Sequence, residues 1–520
     1  MAMAIEVGVI SLLYLISSVI IALLHTISVR ERLIDLIAAT LALIGLLLNI
    51  KIFMYVNSIG LLVYRFGGFP PPLGVIYVVD GISCILALLA SFALLLSLLF
   101  SIQFIEPNVK ALYYVLAFLL TSGVVGSLFT GDIFNLYVSI ELVAISSYAI
   151  TSIHKDNPKA IRVAIIYGIS GTIVTSFLLL VTFMVYGSYG TLNMADIALK
   201  ASNIEAEVVF SGNVYGDIVF ISKIVLALAT WVFLFKSGIM PNHFWLPEVY
   251  KVAPLPAIAI FTASADIIGI YGLIRFYYTI FGIDTLVKDF RNTLLILLMI
   301  IGGMSTIVSA AFVSRQNSIR KLVAYSSISQ FSLSLLGVTI GIGEAIGGVI
   351  LHLISNGLGD MSIIFSAATI KRVARGKCSN RSMIIIPYVA LVIGLLNLFG
   401  IIPLLPGFWS KTYLAMGFVK AGFPQGAAIV LISTGLCALG YMRMIIRYLP
   451  RASDSSVCIN NNGVSRELVL PLTILIILVI VTIVLGIFLT AHNYVRDIFV
   501  SYGYMVMDSK RYIDIVFSDS

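Results

Sequence analysis

The chain alternates long apolar runs with short polar ones. About fourteen of the runs are long enough for an α-helix to cross a ~30 Å hydrocarbon core. They lie near residues 4–25, 33–54, 77–101, 109–127, 131–152, 160–187, 217–239, 253–277, 291–312, 321–340, 344–370, 384–418, 425–447 and 467–490. The pattern predicts an all-α fold, a polytopic membrane protein with about fourteen transmembrane helices. Helices satisfy every backbone polar group within their own segment, as the interior of a bilayer requires. The first run, Ile5 to Leu24, ends in His25 and Arg30 rather than a small-residue cleavage site, so it is expected to persist as a membrane helix. The tail after about 491 is mixed and aromatic, with Tyr494, Phe499, Tyr502, Tyr504 and Tyr512, which suits an interfacial segment. The longest hydrophilic stretch, Arg451 to Arg466, is expected to be a loop, and no separate soluble domain is expected.

Two crossings are interrupted. The seventh carries Lys236, then breaks at Ser237, Gly238 and Pro241 before resuming with His243, Trp245, Pro247 and Glu248. The twelfth is interrupted by Pro403, Pro406 and Gly407 just before Lys411. Proline removes a backbone donor, so carbonyls are left open at mid-depth, tolerable only against protein or a wet cavity. Five helices separate the two broken, lysine-bearing crossings. That spacing predicts two inverted five-helix repeats, helices 4–8 and 9–13. The expected divisions are 1–108 for the first three helices, 109–280 and 281–450 for the repeats, and 451–520 for a loop, helix 14 and the tail.

Composition narrows the class. With 60% hydrophobic and 11% charged residues and a mean hydropathy of +1.09, the chain has too little polar surface for a water-soluble globule. The net charge of +8 does not indicate nucleic acid, because the basic residues lie in short loops. Loops after odd-numbered helices hold most of them, among them Arg30, Lys110, Lys155, Arg315, Arg372, Lys377 and Arg451. The loop near 188–216 is acidic instead, with Asp196, Glu205 and Glu207. The positive-inside rule then places both termini on the outer side of a plasma membrane. Cys84, Cys378, Cys437 and Cys458 are scattered singly and suggest neither a disulfide framework nor a metal or iron–sulfur site. No paired axial histidines or glycine-rich nucleotide loop is present, so no cofactor is expected.

The informative residues are the ionisable ones within crossings, where a central lysine costs roughly 2.5–3.5 kcal/mol on insertion scales. Glu141 lies about ten residues into the fifth crossing, ~15 Å along it at 1.5 Å per residue. Lys236 is its expected partner by depth. Each charge then biases the protonation of the other, which is what a relay requires; a static ion pair locking two helices is the competing reading. Lys223 is explained by snorkelling. His243 is either a proton carrier to the inner side or a hydrogen-bonding partner. His352, Asn356 and Asp360 share one face of the eleventh crossing at i, i+4 and i+8. Asp266 is a further buried carboxylate in the eighth. The expected pathway residues are Glu141, Lys236, Asp266, His352, Asp360 and Lys411.

GDIFNLYVSIELVAISSYAI, Lys236 with PNHFWLPEVYKVAP, IRKLVAYSSISQ and PLLPGFWSK resemble the proton-conducting antiporter-like subunits of respiratory complex I, Mrp-type cation/proton antiporters and membrane-bound hydrogenases. The similarity covers helices three to thirteen, with Asp80 of VVDGIS near its start. The wording of the fifth helix is nearest to the Mrp D-type subunit and its relatives in archaeal hydrogenase and sulfur-reducing complexes. The resemblance implies a glutamate–lysine pair at Glu141 and Lys236, a channel histidine at His352 and a terminal lysine at Lys411. It also implies other membrane subunits as partners and a peripheral hydrogenase-like or sulfur-reducing redox module. The chain departs from the family at two central lysines. Ile267, preceded by Asp266, stands at one position, Asp360 stands at the other, and Asn356 replaces a second histidine. The expected function is ion translocation by a subunit that something else drives, through either a carboxylate proton relay or a sodium route near Asp360 or Asp266. A non-conducting membrane scaffold is the alternative, and an integral membrane enzyme ranks last because the buried polar groups are single rather than clustered.

Overall fold

The computed structural model describes residues 2–202, 217–375, 381–449 and 466–518. Cys378, Cys458, Glu205, Glu207, Lys377, Arg451 and the expected loop after it fall outside these residues. Thirteen described segments are helical, long and apolar enough to cross a membrane. The predicted crossing at 384–418 is two shorter helices, α15 (Arg381–Phe399) and α16 (Pro406–Lys420), separated by its expected break.

The chain opens with α1 (Ala2–Thr26) and α2 (Glu31–Ile59). It then departs from the all-helical expectation in one short hairpin, β1 (Leu61–Arg65) against β2 (Ile76–Asp80), antiparallel with Leu61 opposite Asp80. Asp80 ends β2 and starts α3 (Gly81–Phe104), accepting from the amide of Ser83 at 2.9 Å in a reciprocal capping box. After α4 (Pro107–Phe129), α5 (Ile133–Thr151) begins at Asp132, which accepts from the Asn135 amide at 2.8 Å. The long α6 (Pro158–Tyr189) ends at Gly190 in the left-handed conformation that glycine adopts without steric penalty.

The stretch near 188–216, expected as an acidic loop, contains a helix, α7 (Met194–Ser202). Asp196 on it is buried and pairs with Lys200 at 2.8 Å, so it is not a solvated loop charge. Lys110, read as a positive loop residue, is also buried, 3.0 Å from Asp35, whose other oxygen accepts from Tyr114 at 2.8 Å.

The second half contains α12 (Lys288–Arg315), α13 (Ile319–Ile340), α14 (Gly343–Arg375), α17 (Pro424–Tyr448) and α18 (Arg466–Ala491). The tail forms α19 (Asn493–Met507) and α20 (Ser509–Ser518). Phe499 and Tyr502 of α19 are buried, and that helix packs against α14, so the tail is docked on the bundle as well as amphipathic. Residues 345–369 of α14 are all buried, among α3, α13, α15, α16, α18 and α19. Outer helices instead expose apolar side chains such as Leu36, Ile169, Phe183, Ile296 and Ile480, the inside-out distribution that a lipid environment permits.

Candidate ion path

The first break is built where α8 (Ile218–Lys236) stops and α9 (Trp245–Val252) begins. Gly238 follows the end of α8 with a φ of 62°, which turns the chain out of the helix. The carbonyl of Phe235, which accepts from the Gly238 amide at 3.0 Å, also accepts from the indole nitrogen of Trp245 at 3.2 Å, so the far side of the break helps cap the near side. Trp245 stacks on Tyr167, and the edge of that ring meets Tyr148.

Glu141 lies on α5, seven residues before Tyr148 and therefore on the same face. Its charge acts on Tyr148 and on Lys236. No hydrogen bond or ion pair joins Glu141 to Lys236 among the described residues, and both are only partly enclosed by the chain. They are coupled through space rather than locked together. His243 sits in the break with Nδ1 3.3 Å from the Pro241 carbonyl, and burial pushes its imidazole below the ordinary value of 6.5. Among its contacts nothing links it to Lys236.

Lys236 also feels Asp266. Asp266 lies at an irregularity: α10 (Leu255–Ile260) passes into a π-helical turn, Phe261–Ala265, before α11 (Ile267–Ile274) begins. A π-turn shifts the register of the following side chains, a distortion frequent at functional sites. Asp266 accepts from the Tyr250 hydroxyl at 2.6 Å, while its backbone carbonyl accepts from Ser237 at 3.2 Å. The carboxylate is thus tied to α9, and the backbone of the same residue to the end of α8.

Beyond Tyr250 lies Asp360. Both carboxylates act on the Tyr250 hydroxyl and on each other, and Ser327 of α13 donates to Asp360 Oδ2 at 2.9 Å. The fold therefore brings together the two acidic residues that depart from the family pattern. Arg320, in the IRKLVAYSSISQ stretch, anchors this arrangement by donating to the carbonyls of Tyr250, Lys251 and Ala253 at 2.6–3.2 Å.

At the second break, Gly400 has a φ of 70° and α16 starts at Pro406. A Cβ on Gly407 would stand 1.8 Å from the Asn397 carbonyl, so only glycine permits this approach. Lys411 reaches back across the break to the Leu398 and Phe399 carbonyls at 2.7 and 3.1 Å. The two lysines thus stand on opposite sides of their breaks, Lys236 before and Lys411 after. His352 Nδ1 lies 3.0 Å from the Ser410 hydroxyl, and the His352 ring feels the charge of Lys411. A second set of polar groups between Asp360 and Lys411 comes from α17. Tyr441, which feels Asp360, shares a 2.6 Å hydrogen bond with Ser326, and Cys437 faces Lys411.

Sequence reasoning missed Tyr250, Ser327, Arg320 and Tyr441, which look like ordinary helical residues until their helices pack. It also missed Arg275, which pairs with Asp80 at 2.7 Å with both residues buried. Arg275 had a readable signal, a basic residue within an apolar crossing, which demands a counter-charge. Among the described residues no group of three or more histidine, cysteine, aspartate or glutamate side chains could hold a metal ion.

The family model described as NADH:quinone oxidoreductase/Mrp antiporter, TM, matches residues 130–437. The chain is 29% identical over 446 residues to NADH-quinone oxidoreductase subunit N of Desulforudis audaxviator, covering 82% of this chain and 84% of that one. It is 28% identical over 454 residues to the D-type subunit of the Na(+)/H(+) antiporter of Alkalihalophilus pseudofirmus, covering 86% and 87%. Its fold is similar to a chain of the membrane-bound sulfane sulfur reductase, an archaeal respiratory membrane complex, with a TM-score of 0.83, 24% identity, and 98% and 99% of the two chains covered. A chain of the Mrp complex from a Dietzia species gives a TM-score of 0.82 at 19% identity, with 99% of each chain covered.

Proposed function

The chain belongs to the NADH:quinone oxidoreductase/Mrp antiporter membrane family, and on that premise we propose that it is an ion-translocating subunit of a multi-subunit membrane complex. Protons move from Glu141 and Lys236 through Asp266, Tyr250 and Asp360 toward Lys411. The observation that carries this reading is the juxtaposition of Asp266 and Asp360 around Tyr250 and Ser327. Where the family pattern has lysines, this chain supplies an alternative set of polar groups, with Tyr250 bonded to Asp266 and Ser327 bonded to Asp360. A carboxylate relay and a lysine relay perform the same exchange with opposite charge states: a proton neutralises the first and charges the second.

Moving one charge against 100 mV costs about 2.3 kcal/mol, so partner subunits must supply the driving free energy. The names of its relatives favour other membrane subunits as partners, and a peripheral hydrogenase-like or sulfur-reducing module would make the assembly a redox pump. The left-handed glycine next to each break, Gly238 and Gly400, supports the paired five-helix repeats. In this reading the complex sits in the plasma membrane with both termini of the chain outside.

The test is proton translocation by the intact co-purified complex in proteoliposomes, comparing wild type with Asp360→Asn. Loss of translocation with normal assembly supports the relay. Unchanged translocation would favour a scaffold role.

A further inference from the structure

Two polar rows lead from Asp360 toward Lys411, one on α14 and one on α17. The α14 row is interrupted. Asn356 stands close enough to act on Asp360, yet neither of its amide atoms has a hydrogen-bond partner, and Nε2 of His352, the next group along, has none either. An amide is also a poor proton carrier, because its nitrogen only donates and its oxygen only accepts. Passing a proton through it leaves the disfavoured imidic tautomer behind.

The α17 row is linked from end to end. Cys437 and Tyr441 lie one turn apart on α17, and both are buried. Tyr441 shares a 2.6 Å hydrogen bond with Ser326 and accepts from the Gln330 amide at 3.2 Å, while its hydroxyl stands in the field of Asp360. The Cys437 thiol donates to Ser329 at 3.8 Å and interacts with both Tyr441 and the charge of Lys411. Each group in the order Asp360, Tyr441, Cys437, Lys411 therefore acts on the next. A hydroxyl and a thiol each hold one transferable proton and lone pairs to receive another, which is what a carrier between a carboxyl and an amine requires.

We propose that protons pass from Asp360 to Lys411 along α17, through Tyr441 and Cys437, and not along the Asn356 and His352 face of α14. The step balances: the Asp360 carboxyl gives its proton to Tyr441, Tyr441 gives its own to Cys437, and Cys437 gives its own to the Lys411 amine. A carboxylate and an ammonium result, with the hydroxyl and the thiol unchanged. Gln330 is a positioning residue that holds the Tyr441 oxygen, and Ser329 does the same for the thiol. This route rests on the relay reading, since it joins two of the relay's stations.

The experiment is proton translocation by the intact co-purified complex in proteoliposomes, with thermal unfolding followed in parallel. Tyr441→Phe and Cys437→Ala are each expected to slow translocation roughly a hundredfold, the order that a positioned proton carrier contributes, with melting temperatures close to wild type. Cys437→Ser restores a proton-exchanging group and is expected to recover the rate. Asn356→Leu is expected to translocate at the wild-type level. Lost translocation in Asn356→Leu, or normal translocation in either Cys437→Ala or Tyr441→Phe, overturns the α17 route. So does a Cys437→Ser variant as slow as Cys437→Ala, which assigns the cysteine to packing. Asp360→Asn separates this route from the relay itself. If the α17 route is overturned and Asp360→Asn still stops translocation, the relay stands and only its last leg is wrong; if Asp360→Asn translocates normally, the relay fails as well.

Discussion

Tyr250 donates its hydroxyl proton to Asp266 at 2.6 Å, joining the short helix after the first break to the π-distorted crossing beside it. In the proposed relay this contact leads out of the first half of the bundle, because Tyr250 also stands in the field of Asp360. Tyr250→Phe keeps the ring and removes one hydrogen bond to an ionisable group, about 1.5–3 kcal/mol. Translocation in proteoliposomes should fall roughly ten- to hundredfold, as that energy implies, while the complex still assembles. An unchanged rate would remove Tyr250 from the path.

Glu141 touches no cation directly among the described residues, so its substitution should disturb function more than folding. Glu141→Gln is expected to abolish coupled ion movement with the melting temperature of the complex close to wild type. A large drop in melting temperature would instead favour a structural role.

Lys411 caps two open carbonyls at the second break, Leu398 and Phe399. Lys411→Met leaves them unsatisfied and should cost about 1–3 kcal/mol, read as a lower melting temperature together with lost translocation. Lys411→Arg retains donors, so it should recover stability more than transport. Equal recovery of both would make the lysine a cap and nothing more.

Asp80 and Arg275 form a buried ion pair that shares no hydrogen bond with the residues of the proposed path among the described residues. Breaking one partner leaves an uncompensated buried charge, and Arg275→Leu should destabilise by about 3–5 kcal/mol. Adding Asp80→Leu should restore much of that loss in thermal unfolding. A double variant no more stable than Arg275→Leu would show that the pair is not the cause.

The sequence alone determined the membrane class, the approximate bounds of thirteen crossings, the two breaks, and the burial of Asp266, His352, Asp360 and Lys411. These follow from composition and spacing along one chain, since a bilayer imposes a minimum apolar length on each helix and a penalty on each charge. Only the tertiary structure decided which of those charges meet. Glu141 and Lys236 act on each other without contact, and α7 replaces part of an expected loop. Asp266 and Asp360, 94 residues apart in the chain, become neighbours because the π-turn, Tyr250 and Ser327 place them there. Spacing along the chain cannot report such a meeting, because it depends on how α9, α13 and α14 pack against one another and on the register shift the π-turn introduces.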